Sequence, residues 1–162
     1  MATQSFQRIL ELLEAHGVEY IVVGGVAAVL RGAPVTTFDI DTLVKTDRAN
    51  AERLLAALQA LEARHREHSE GLEPSIQDIL AGGHLLLMTD SGPLDVLGHI
   101  MGGKRYEDMT EQASMLSVGG LAVRVLGLKA LLDEKRALGR PKDRAVAEML
   151  SELLERERPD GS

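Results

Sequence analysis

Apolar positions along the chain follow two rhythms, one of helices and one of strands. Phe6, Ile9, Leu10, Leu13 and Val18 recur at helical spacing, so Ser5 to Ala15 predicts an amphipathic helix closed by Gly17. Tyr20 to Val23 is a β-branched run ending at Gly24-Gly25 and predicts a short buried strand. The alanine-rich segment Val26 to Leu30 predicts a short helix stopped by Gly32 and Pro34, and Phe38 to Val44 predicts a second strand. Thr46 or Asp47 can cap a helix carrying Leu54, Leu55, Leu58 and Leu61 on one side. The polar stretch Arg64 to Gly71 predicts irregular chain, followed by a short helix from Pro74 to Gly82-Gly83.

Leu85 to Met88 and Leu94 to Leu97 predict two strands joined by the turn-rich Thr89 to Pro93. Ser114 to Val118 and Leu121 to Val125 flank Gly119-Gly120, the residue pair that a two-residue hairpin turn favours. Leu126 to Leu138 predicts a helix, Gly139 to Pro141 a break, and a last helix runs to about Arg158. No internal repeat, linker or low-complexity tract interrupts this order. The expected class is α/β (α+β) with a mixed sheet: one domain over 1–162, with the sheet in 1–125 and C-terminal helices in 126–158.

A length of 162 residues suits one compact domain. The chain has no cysteine, which excludes disulfides, thiol nucleophiles and cysteine-based zinc sites. Tryptophan is absent and there are two Phe and two Tyr, too few for a base-stacking platform. A net charge of −7 argues against coating nucleic acid by phosphate neutralisation, but leaves room for an enzyme acting on a nucleic-acid end. The longest apolar run, Tyr20 to Leu30, has 11 residues; a membrane span needs about 20. Met1 to Gln7 lacks the basic start and apolar stretch of a secretory signal. The expectation is a soluble cytoplasmic domain with no membrane partner.

Asp39-Ile40-Asp41 is the most informative tripeptide. In a strand alternate side chains share a face, so Asp39 and Asp41 would project together while Phe38, Ile40 and Val44 point the other way. Two carboxylates about 7 Å apart on a half-buried strand repel each other, and a divalent cation removes the conflict. Oxygen-only ligands suit Mg²⁺ or Mn²⁺. Asp95, between Leu94 and Val96, is a third acid in an apolar strand. Three carboxylates on neighbouring strands can hold two metal ions for in-line phosphoryl chemistry. The alternative is a solvated acid pair at a strand end, with Asp95 capping a turn or pairing with a base. Gly24-Gly25 follows a strand, opens a helix and is separated from Asp39 by thirteen residues. Glycines there let phosphate approach the backbone, although a plain tight turn uses them too.

The stretch Gly24-Gly25-Val26 to Gly32, followed by Thr37-Phe38-Asp39-Ile40-Asp41, resembles the signature of the nucleotidyltransferase superfamily: Gly-Gly/Ser, a spacer, then Asp-x-Asp. The small bacterial AbiEii-like and minimal nucleotidyltransferase branches are the most similar within it. The resemblance extends to Leu94-Asp95-Val96-Leu97 as the third-carboxylate strand. It also takes in Leu128 to Leu131 and Gly139-Arg140-Pro141-Lys142-Asp143 as a helical C-terminal motif, and so covers Val22 to about Leu150. It implies a nucleotidyltransferase-like mixed sheet flanked by helices. It implies that Asp39, Asp41 and Asp95 hold Mg²⁺ or Mn²⁺ with a nucleoside triphosphate, Asp95 also helping to deprotonate the acceptor hydroxyl. Gly24 and Gly25 would hold the β- and γ-phosphates. Thr37, Lys129 and Lys142 join the nucleotide-binding set, with Asp143 orienting Lys142. Two positions depart from the pattern: many members carry Ser where Gly25 stands, and related sequences often have Arg where Val35 stands.

The implied activity is transfer of a nucleoside monophosphate from NTP to a hydroxyl on a tRNA end, a protein or a small molecule, with release of pyrophosphate. A different class remains open: a non-catalytic nucleotidyltransferase-like subunit that binds a cognate antitoxin or regulator protein in a toxin–antitoxin or regulatory complex.

Other signals are weaker. Gly98 to Lys104 has the spacing of a phosphate-binding P-loop, but Arg105 stands where Ser or Thr must reach magnesium. There is no G-x-G-x-x-G and no G-x-S-x-G. His65 and His68 could share a helix face without a third ligand, His84 and His99 fall near strand ends, and the methionines are expected to fill core gaps. Arg124 to Arg144 carries seven Lys/Arg against three acids, the one basic region, suited to a triphosphate, an RNA end or a solvated helix face.

Overall fold

The computed structural model describes residues 2–67 and 70–157, with side chains from Phe6 onward. Helix α1 (Ala2–Ala15) buries Ile9, Leu10 and Leu13, the helical stripe read from the sequence, and ends where Gly17 takes φ +68°. Strand β1 (Tyr20–Val23) is buried along its whole length, as an interior strand covered on both faces must be. It runs straight into α2 (Gly24–Leu30). Strand β2 (Ile40–Val44) returns antiparallel to β1 and is followed by α3 (Arg48–Ala60). Asp47 caps α3 by accepting the Asn50 backbone N–H at 2.8 Å. Asn50 is fully buried because its side chain bonds Glu19 and Lys45, which ties the start of α3 to the ends of β1 and β2.

The two-residue strand β3 (Arg64–His65) precedes α4 (Ile76–Leu80), whose start carries a Ser75–Asp78 capping box. Strands β4 (His84–Thr89) and β5 (Gly92–Leu97) form a hairpin, and β6 (Ala113–Val118) and β7 (Leu121–Leu126) form another around Gly119-Gly120. Between the hairpins lie 3-10 turns at Met101–Gly103 and Thr110–Gln112 and the short helix α5 (Tyr106–Met109). Helices α6 (Leu128–Leu138) and α7 (Pro141–Arg156) pack against each other. The strands make one mixed sheet in the order β3-β4-β5-β2-β1-β7-β6. Central Ile40, Leu43 and Leu94 are wholly buried, each burial contributing about 1.5–3 kcal/mol.

The α/β class holds, and three local expectations need correction. Asp39 and Phe38 lie before β2 rather than in it, and Phe38 is 77% exposed; the Thr37 hydroxyl donates to the Asp39 carbonyl at 3.1 Å, closing a turn where pairing would otherwise begin. Arg64–His65 is ordered by pairing with Met88 and Leu87, a tertiary cause invisible in a polar run. Met109 is buried, but Met88, Met101 and Met115 are exposed rather than filling core gaps. Gly98 serves packing rather than a P-loop, since a Cβ there would collide with the Gly82 backbone and a 3-10 turn, not a helix of P-loop type, follows. His68 and Arg158, named above, lie outside the described residues.

Candidate active site

The parallel pairing of β2 with β5 sets Asp41 directly opposite Asp95. Side chains at paired positions share a face, so the two carboxyls are neighbours through sheet register alone. Asp39 adds a third acid from the loop just before β2. Burial pushes the Asp41 carboxyl up to about 8, helped by a hydrogen bond with Asp95 and by the charges of Asp95, Asp39 and Glu134. A carboxyl held in this way shares a proton or needs a cation.

The cation present is Arg66, from the segment after β3. Its Nη2 pairs with Asp95, and its Nη1 lies 3.6 Å from Asp39 Oδ2. The Arg66 backbone N–H bonds Leu86 O at 2.9 Å, which fixes the arginine beside β4 and aims it across β5. Sequence reasoning missed Arg66, because only the β3–β4 pairing brings it over the acids.

The glycine turn abuts the acids. Gly24 adopts φ +66°, a conformation that glycine reaches without Cβ strain, and a Cβ there would collide with Asp41 Oδ2. A Cβ at Gly25 would lie 2.7 Å from Thr37 Oγ1 and 3.0 Å from Thr37 Cβ. Thr37 thus fills the space that a side chain at this position would occupy and brings a hydroxyl to it, which accounts for glycine where serine is common. Val35 lines an apolar cavity of about 280 Å³ with Phe6, Leu10, Val26, Val29 and Val118, so an arginine there would face apolar walls.

The C-terminal residues stand differently from the acids. Lys129 is exposed and pairs with Asp133 one turn on at 3.3 Å. Lys142 is exposed on α7. Asp143 is buried and engages Arg140 and Lys135 rather than Lys142, and the Arg140 hydrogen bond holds its carboxyl below the usual range. That cluster pins the α6–α7 corner. His65 bonds Asp78 at 3.3 Å.

The donor set at Asp39, Asp41 and Asp95 is all carboxylate oxygen, which suits Mg²⁺ or Mn²⁺, and the uncompensated Asp41 is the charge conflict such an ion relieves. Among the described residues no three acid or histidine side chains already converge at metal-ligand spacing; Arg66 bridges two of the acids instead. No helix among the described residues is long and apolar enough to cross a membrane.

The sequence matches no protein-family model and no curated protein. Solved structures do resemble it. The lincosamide antibiotic adenylyltransferase LnuA with lincomycin bound superposes with a TM-score of 0.65 at 17% identity, over 93% of this chain and 96% of that one. ANT(2'')-Ia in complex with adenylyl-2''-tobramycin gives 0.62 at 17% identity, over 96% and 90%. An antigenic nucleotidyltransferase-like protein from Paracoccidioides brasiliensis gives 0.58 at 16% identity, over 94% and 75%. The chain has the nucleotidyltransferase-like fold, and the structures that share it are nucleotidyltransferases or nucleotidyltransferase-like proteins.

Proposed function

We infer that the chain transfers a nucleoside monophosphate from an NTP to a hydroxyl acceptor. The observation that carries this reading is the register that sets Asp41 against Asp95, with Gly24 so close that no side chain fits between. Asp39, Asp41 and Asp95 would hold Mg²⁺ or Mn²⁺; the ion, when bound, neutralises triphosphate charge and polarises the reacting phosphate. The backbone of Gly24 and Gly25 and the Thr37 hydroxyl line the phosphate side, and Lys129 and Lys142 stand outside as exposed cations. In the transfer, the acceptor oxygen bonds to the α-phosphorus and the bond to the bridging oxygen breaks. Pyrophosphate leaves with the electron pair, and the hydroxyl proton passes to Asp95. Catalysis of this kind rests on positioning and charge rather than on covalent chemistry by the protein. The bound ligands of LnuA and ANT(2'')-Ia favour a small-molecule acceptor over a tRNA end or a protein side chain.

One observation favours a second reading. Arg66 bridges Asp39 and Asp95, as it would in a non-catalytic subunit of an AbiEii-like toxin–antitoxin or regulatory complex that binds a protein partner and has no use for metal. Pyrophosphate release from ATP, GTP, CTP or UTP with Mg²⁺ or Mn²⁺ and an acceptor panel including tRNA and tobramycin separates the two. Transfer that Asp41→Asn abolishes supports the enzyme; nucleotide and metal left unused by folded protein supports the binding subunit.

A further inference from the structure

A second cavity has a volume of about 420 Å³. It is walled by His84, Leu97, His99, Met101, Glu134 and Leu138. Leu97 follows Asp95 by two residues in β5 and therefore points to the same face, about 7 Å further along the strand. Glu134, on α6, is near enough to Asp41 to raise its carboxyl. Leu97 and Glu134 thus put the cavity on the acid-bearing face of the sheet, and its volume lies within the size range of small-molecule sites.

Its polar side chains are His84, His99 and Glu134. His99 Nδ1 lies 2.9 Å from the Gly82 carbonyl and His84 Nε2 lies 3.1 Å from the His99 carbonyl. A carbonyl only accepts, so each of those nitrogens carries the hydrogen, and in the neutral rings His99 Nε2 and His84 Nδ1 are lone-pair acceptors. The two rings sit 4.7 Å apart. Glu134 Oε2 is the one buried side-chain oxygen or nitrogen among the described residues without a hydrogen-bond partner. A buried carboxylate oxygen left unpaired is costly, and it is relieved by a donor from a ligand. Burial pushes the Glu134 carboxyl up, with Lys135 opposing and Asp143 adding.

We propose that this cavity is the acceptor subsite, and that it takes a small molecule carrying protonated amines beside its reacting hydroxyl, with an ammonium group bonded to Glu134 and further donors bonded to His84 and His99. The assignment rests on the transfer reaction inferred above and names its acceptor class. Glu134 and the histidines bind and orient; the hydroxyl then lies toward Asp95.

The test uses the full chain with tobramycin, an amino sugar with several amines, and its fully N-acetylated form as the neutral counterpart. Binding is followed by NMR of the His84 and His99 ring protons, and Mg²⁺–ATP binding is measured separately by calorimetry. Saturable shifts of both histidines with tobramycin, absent with the acetylated form, support the subsite. Glu134→Gln is expected to weaken tobramycin by roughly tenfold or more, as loss of a charged hydrogen-bond partner does. Leu138→Trp, at the rim, is expected to block tobramycin by filling the cavity. Equal binding of both sugars, or of tobramycin by wild type and both variants, overturns the proposal, as does the absence of any histidine shift. Tobramycin binding by protein that takes no nucleotide keeps the ligand class but overturns the transfer reaction.

Discussion

Gly25→Ser looks conservative, because serine is common at this position in the sequences that the motif resembles. The structure predicts the reverse. The new Cβ would lie 2.7 Å from Thr37 Oγ1 and 3.0 Å from Thr37 Cβ, whereas carbon contacts settle at about 3.5–4.0 Å. Gly25 does not have positive φ, so the effect is steric only. Overpacking of this degree costs roughly 1–3 kcal/mol, and in a chain of this size each kcal/mol lowers Tm by about 2–4 °C. Thr37→Ala opens the space but loses the 3.1 Å hydrogen bond to Asp39 O, at about 1 kcal/mol. In the double variant the serine fills the space that threonine left, so the two changes should couple favourably by roughly 1–2 kcal/mol. Urea unfolding of the four proteins measures the coupling, and Mg²⁺–ATP titration shows whether the introduced serine hydroxyl then replaces that of Thr37. Additivity within about 0.5 kcal/mol would refute the steric argument.

Further predictions concern the same site and the helical corner. Asp41 in the folded protein keeps a proton up to about 8, whereas the unfolded chain releases it at about 3.9, so metal-free protein should lose stability as pH rises from about 4 to 8; melting curves in chelator check this, and Asp41→Asn should flatten the slope. Arg66→Gln removes the counter-ion of Asp39 and Asp95, so melting in chelator should fall while the stabilisation added by Mn²⁺ grows; an unchanged Mn²⁺ response would contradict the bridging role. Gly24→Ala costs roughly 1–2 kcal/mol for its left-handed backbone alone and displaces the Asp41 carboxylate, so calorimetry should show lost Mg²⁺–ATP binding at a depressed Tm. Asp143→Asn should lower Tm at neutral pH, and because Arg140 depresses the carboxyl, the deficit should narrow on acidification below about pH 4.

Apart from β3, the strands and both hairpins were legible because their signals are local. Tyr20–Val23 is a β-branched run ended by glycines, and Gly119-Gly120 marks its own turn. The acids were legible as residue types; that Asp41 meets Asp95 needed the parallel β2–β5 register, which no local pattern encodes. Asp39 fell outside the strand because a side-chain hydrogen bond from Thr37 outweighed an alternation that looked continuous. Arg66 and Glu134 were not legible as site residues. Each is one polar residue in a polar stretch, placed by β3–β4 pairing in one case and by the packing of α6 in the other. A lone arginine or glutamate gains its meaning only from the charges it is folded against.

The central claim is that Asp39, Asp41 and Asp95 with the glycine turn form a metal–nucleotide site. Calorimetric titration of ATP, GTP, CTP and UTP with Mg²⁺ or Mn²⁺ tests it most directly, comparing wild type with the Asp39→Ala/Asp41→Ala double variant. The account predicts metal-dependent binding of at least one triphosphate by wild type and none by the variant. Binding that survives in the variant, or no binding of any triphosphate by folded wild type, would contradict it.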